Sequence, residues 1–169
     1  MDEIEIIRDE TGEERRLGSL MNPEGFVSAY PMFESVYEMW TDEQIRRVIT
    51  DPNRVPSRKL FGREWMQNQK THGSCNGYAL GGGLSKARFR RGIQDKLLLS
   101  GAFPYSLMNG NRDNGSALSD GLKIIELYGS PPESLVPWNM IYARQQPANA
   151  KSEAAKHKGL ICYAAGTLQ

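Results

Sequence analysis

Gln69-Lys70-Thr71-His72-Gly73-Ser74-Cys75-Asn76-Gly77-Tyr78-Ala79 is the stretch on which the reading of this chain turns. It sets a cysteine at the opening of a helix predicted from Ser74 to about Arg91, two residues after a glycine. The first turn of a helix offers free N–H groups and the positive end of the helix dipole, and both favour a thiolate. The thiolate is the nucleophilic form, which makes Cys75 the candidate nucleophile. Gln69, six residues upstream, carries an amide N–H able to donate to an oxyanion forming beside that sulfur. The backbone N–H of Cys75 is the second donor. A cysteine taken alone is ordinarily a small buried apolar side chain, so the glutamine and a second block of sequence have to carry the functional reading.

That second block is Asn114-Gly115-Ser116, followed by Ala117-Leu118 opening an amphipathic helix that Tyr128-Gly129 closes. Taken together, the two blocks resemble the papain and cathepsin signature of cysteine peptidases. Asn68-Gln69, five residues ending in Gly73-Ser74, and then Cys75 align with it without a gap, and Leu99-Ser100 fits its Leu-Ser element. The resemblance implies Cys75 as nucleophile and Gln69 as oxyanion donor. It also implies that Asn114, Gly115 and Ser116 hold the substrate backbone and that Leu118 shapes the pocket for the second residue before the cut. The implied fold is α+β, the helical lobe of a papain-like peptidase with the start of its β lobe. The peptidase domain would run over 60–169, preceded by an N-terminal arm or hairpin plus a short helix over 1–59 that does not look like the usual inhibitory pro-segment. The implied substrate is a protein or peptide, with no metal and no cofactor.

Three departures stand beside the resemblance. Asn76 replaces the aromatic residue that normally follows the nucleophile. The two cysteines of the family's nearby disulfide fall on His72 and Asp113, which suggests a hydrogen-bonded or ionic pair in its place. The family's histidine lies roughly 130–150 residues after its cysteine, whereas only residues 76–169, 94 in all, follow Cys75 here. Of the two histidines, His72 is too close in the chain to face Cys75 across a cleft, and His157 reads as a solvated helix-end residue. Without a base the thiol loses its partner and most of its rate. The expectation is therefore either a peptidase whose base comes from sequence outside this chain, or a catalytically silent structural or docking protein on the same lobe. A C-terminal fragment or other virion proteins are the partners these readings imply. Gln169 ends shortly after a predicted strand with no terminal helix or polar tail, which points to a continuation.

Working outward, the remaining sequence is bland. Lys and Arg number 21 against 20 Asp and Glu, so no basic field calls for nucleic acid. Arg88, Arg90 and Arg91 read as cations at a helix C-terminus. No apolar run approaches the roughly 18 residues of a membrane span, and the acidic start Met1-Asp2-Glu3 is no secretory signal. Two cysteines in 169 residues make no disulfide framework, so the expected setting is reducing: a cytoplasm or a particle assembled in one. A bacterial or bacteriophage origin, with a virion as the particle, is what the resemblance to disulfide-free members of the family implies. Cys162 reads as structural, and Trp40, Trp65 and Trp138 as core or interface.

The expected elements are a hairpin over 4–17, an irregular arm over 18–34, and a helix capped by Thr41 and ended by Asp51-Pro52. A connector follows over 56–71, and then come the helices from Ser74, from Ala117 and over 148–157, with a strand over 159–164 at the end. Leu118, Leu122 and Ile125 form the apolar stripe of the second of these helices. Gly81-Gly82-Gly83 lacks the Lys-Ser/Thr of a phosphate loop and reads as close helix packing.

Overall fold

The computed structural model describes residues 6–8, 12, 14–16, 19–20, 38, 40–55, 57–93 and 95–159. The hairpin is present as β1 (Ile6–Arg8) pairing antiparallel with β2 (Glu14–Arg16), and Gly12 between them takes φ +80°. Within the irregular arm, β3 (Ser19–Leu20) is a strand that the sequence did not announce. Helix α1 (Asp42–Thr50) starts at Thr41 in a full capping box. The Thr41 hydroxyl accepts from Gln44 N–H at 3.3 Å, and the Gln44 side chain accepts from Thr41 N–H at 2.7 Å. None of its residues is buried among the described residues, and Ile49 is left 61% exposed.

The connector contains a short helix α2 (Ser57–Leu60) and a 3-10 turn (Arg63–Trp65). That turn delivers Trp65 into an edge-to-face aromatic trio with Phe61 and Phe89, with centroids 5.2–5.9 Å apart. Trp65 is buried as expected for core, whereas Trp40 and Trp138 stay well exposed.

Helix α3 (Cys75–Arg90) is the central element. It crosses α4 (Ala102–Met108), and α5 (Leu118–Leu127) lies against both. The expected elements include nothing over Ala102–Met108; Pro104 there falls in the first turn of α4, where a missing N–H costs nothing. The close crossing explains part of the glycine run. A Cβ at Gly77 would sit 2.2 Å from the Gly101 carbonyl oxygen, and one at Gly81 would sit 2.7 Å from the Leu99 and Ser100 oxygens. Gly82 meets only the end of Gln67, and Gly83 meets nothing within 4 Å, so the close packing belongs to 77 and 81 rather than to the whole triplet.

The hydrocarbon core lies beneath α4: Ala102, Phe103, Tyr105, Val136, Ile141, Ala150 and Ala154. Buried serines stitch its rim. Ser100 Oγ donates to the Val136 carbonyl at 2.6 Å and accepts from Phe103 N–H at 3.0 Å, and Ser130 Oγ donates to the Ser100 carbonyl at 2.6 Å. Gly129 ends α5 at φ +76°, pressed against the Ala154 and His157 carbonyls where no Cβ fits. The last expected helix is α6 (Ala150–Ala154) continued by a 3-10 turn (Ala155–His157). Of the expected strand over 159–164, only Gly159 is described; the remainder, Cys162 included, lies outside the described residues.

Candidate active site

Cys75 is the first residue of α3, half-buried and free. The turn that leads into it is fixed by its own polar groups. Lys70 adopts φ +58° while its N–H donates to the Asn68 side chain at 2.8 Å. Gln69 closes the turn twice: its carbonyl accepts from His72 N–H at 3.4 Å, and its side-chain amide donates to the His72 carbonyl at 3.0 Å. Ser74, the cap residue, is fully buried, and its hydroxyl makes no side-chain cap to the helix.

The two positions read as a lost disulfide are joined. His72 Nδ1 and Asp113 Oδ2 are 3.0 Å apart. The same carboxylate does more, because Asp113 Oδ1 accepts from Gly73 N–H at 2.9 Å and from the Tyr105 hydroxyl at 2.7 Å. Tyr105 passes the connection on by accepting from Gly115 N–H at 3.1 Å. One carboxylate therefore ties the cysteine loop, helix α4 and the Asn114-Gly115 loop together. Burial first, and then the hydrogen bond to Asp113, push the Tyr105 phenol far above its ordinary value, which keeps it a donor. Trp138 covers the other side of His72, with ring centroids 5.8 Å apart.

The residue after Cys75 makes a second tie. Asn76, 2% exposed, donates from Nδ2 to the Ala117 carbonyl at 2.7 Å and to Ser116 Oγ at 3.1 Å, with Met108 Sδ more distant at 3.8 Å. Because a carbonyl only accepts, Ala117 fixes which end of the amide points at it. Gly121 on α5 makes the room: a Cβ there would lie 2.9 Å from Asn76 Oδ1 and 2.4 Å from Leu80.

The residues matched to a substrate clamp fall as follows. Asn114 is exposed, Gly115 is buried at φ +78°, and Ser116 is buried in the short strand β4 (Ser116–Ala117). Leu118 is 54% exposed rather than part of an inward stripe; it opens α5 one turn before the crossing with α3, and Gly121 and Ile125 are the residues that turn inward. One edge of β4 is taken among the described residues. Strand β3 pairs with it in parallel, Ser19 opposite Ser116 and Leu20 opposite Ala117. Nothing in the sequence singled out those two residues, since two residues carry no periodicity and their partner lies nearly a hundred positions away.

His157 is at the opposite end of α3. Burial, and then the Arg88 charge, hold it below its ordinary value. Arg88 is thirteen residues beyond Cys75 on the helix, about 20 Å at 1.5 Å per residue. Among the described residues no group of three or more His, Cys, Asp or Glu side chains converges as a metal site. No described helix is long and apolar enough to cross a membrane.

No protein-family model matches this chain, and no curated protein does. A solved structure does: xylellain, a cysteine protease from Xylella fastidiosa, superposes with a TM-score of 0.52 at 21% identity over 59% of this chain. The fold is the helical lobe of a papain-like cysteine protease. The match takes in 44% of xylellain, so this chain spans less than half of that protein's length. In this papain-like lobe Cys75 heads the central helix, His72 pairs with Asp113, and Ser116 lies in a short strand.

Proposed function

We propose that this chain is the nucleophile-bearing lobe of a cysteine peptidase acting on proteins or peptides. The observation that carries the reading is the half-buried Cys75 at the N-terminus of a sixteen-residue helix, with strand β4 tied to the same helix turn by Asn76. In this reading Cys75 attacks the scissile carbonyl, and its own N–H with the Gln69 amide stabilises the oxyanion. To do so the Gln69 side chain turns from the His72 carbonyl, a bond it holds at 3.0 Å here. Gly115 and Ser116 hold the substrate backbone along β4, beside Asn114, and the exposed Leu118 meets the side chain two residues before the cut. The base is a histidine from outside this lobe, because His72 is engaged by Asp113 and His157 lies at the far end of α3. Strand β3 occupies the edge that a substrate backbone needs, so the arm competes with substrate for β4.

A second reading is a catalytically silent structural or docking protein, in a virion or a cytoplasm. It is favoured by the same two observations, His72 tied to Asp113 and His157 lying at the far end of α3. Hydrolysis of a peptide amide library separates the two readings. Turnover that disappears in Cys75→Ser supports the peptidase, and turnover that survives Cys75→Ser, or is absent when a histidine-bearing second lobe is supplied, refutes it.

A further inference from the structure

We propose that Asn76 is a positioning residue: it fixes the distance between the Cys75 sulfur and strand β4, and so sets how strongly the site prefers an extended peptide backbone over a small thiol reagent. The inference rests on the peptidase reading for what binds at β4, but its structural half does not depend on that reading.

A buried amide at this position carries a cost. Asn76 is 2% exposed, and its Oδ1 has no hydrogen-bond partner among the described residues. A half-satisfied buried amide is a poor choice for filling space, since an apolar side chain of equal volume leaves no polar atom unpaired. The two short bonds the amide donates both go to β4, one to the Ala117 carbonyl at 2.7 Å and one to Ser116 Oγ at 3.1 Å, with Met108 Sδ on α4 a distant third at 3.8 Å. Ser116 and Ala117 are forty and forty-one positions away in the chain. The bonds therefore set the register of β4 against the first turn of α3. Gly121 is the matching concession on α5, because its missing Cβ is what leaves space for Oδ1. The Asp113 carboxylate anchors the opposite end of the same segment through Tyr105 and Gly115. Segment 113–117 is thus held at both ends, and Asn76 is the end that starts from the residue next to the nucleophile.

The test compares two reagents at Cys75. Iodoacetamide needs only the sulfur. A peptidyl chloromethyl ketone, whose chloride the sulfur displaces to form a thioether, carries a backbone that has to lie on β4 to profit from binding. Each rate is divided by that of a free cysteine peptide, and the quotient of the two ratios measures the contribution of the strand. The 169-residue chain is used with Asn76→Leu, which keeps the volume and removes both donors, and with the smaller Asn76→Ala, which removes the same donors and adds no new contact. Both are expected to lower the quotient about tenfold, while iodoacetamide rates stay within about twofold. A merely structural role lowers both reagents together. An unchanged quotient in a folded Asn76→Leu protein overturns the proposal, and should that variant fail to fold, an unchanged quotient in Asn76→Ala does so instead. If the wild-type quotient is already one, the peptide-binding reading of β4 fails. Amide hydrogen exchange over 116–118 then decides the remainder: exchange at least about fivefold faster in Asn76→Leu keeps the positioning role, and equal exchange removes it.

Discussion

Replacing Asp113 with alanine tests the polar staple that stands in for a disulfide. The carboxylate side chain is 13% exposed. It accepts from Tyr105 Oη at 2.7 Å and Gly73 N at 2.9 Å, and lies 3.0 Å from His72 Nδ1. Hydrogen bonds to a charged acceptor contribute about 1.5–3 kcal/mol each. Three bonds to one group are not additive, and alanine also removes the cost of holding a carboxylate near the interior. The net loss is set mainly by what is left behind. Gly73 N–H is buried and loses its partner, and the Tyr105 hydroxyl, at 0% residue exposure, keeps only the bond it accepts from Gly115. Two orphaned donors at about 1–3 kcal/mol each place Asp113→Ala near 3 kcal/mol, as an order of magnitude. For a chain of this size that is a fall of about 6–12 °C in Tm. Asp113→Asn keeps an acceptor for Tyr105 and Gly73 and loses the charge, so its loss is smaller, about 1 kcal/mol. Urea titration followed by circular dichroism at pH 7 reads both variants, with the m-value as a check that the denatured state is unchanged. A loss below about 0.5 kcal/mol for Asp113→Ala, within the range of ordinary surface changes, refutes the staple.

Two glycines of the same helix should behave oppositely. Gly77→Ala drives a Cβ against the Gly101 carbonyl and should cost about 1–3 kcal/mol or more. Gly83→Ala meets open space and should gain about 0.5–1 kcal/mol from helix propensity, and urea midpoints decide both. His157 is held below its ordinary value by burial and by Arg88, so the fold favours its neutral form. Its contribution is then complete above about pH 6.5 and is lost as pH falls through the lowered folded value. Urea midpoints of the wild type should fall relative to His157→Gln between pH 7.5 and 5, and parallel curves contradict the assignment. Leu20→Pro, which removes a strand N–H at the β3–β4 pair, should speed peptidyl labelling of Cys75 several-fold and leave iodoacetamide labelling unchanged, because it frees the edge of β4. Equal peptidyl rates mean that the arm does not compete there.

The parts of this lobe that were legible in the sequence are those whose logic is local. Gln69 to Cys75 and Asn114 to Ser116 are short blocks whose spacing survives without knowledge of the fold, and Thr41 and Gly129 mark helix ends by their own chemistry. The His72–Asp113 pair was legible only through the resemblance, as a matched loss of two cysteines. Asn76 registered merely as a departure from pattern. Its role is created by convergence: Ser116 and Ala117 come to it from forty residues away and Gly121 from forty-five. A polar residue beside a candidate nucleophile, with a glycine inside an amphipathic helix, was the available signal. Helix α4 was not among the expected elements; it carries Pro104, whose effect depends on where in a turn it falls. Strand β3 was hidden because its two residues are defined by their partner alone. Leu118 followed helical spacing, but spacing gives a face and not the point where the neighbouring helix ends.

In the proposed reading, Cys75 is poised as a nucleophile by its place at the head of α3. The direct measurement is its second-order alkylation rate with iodoacetamide at pH 6, mapped by peptide mass so that Cys75 is separated from Cys162. A rate about tenfold or more above that of a free cysteine peptide is the expected result. A rate equal to or below the peptide's contradicts the account.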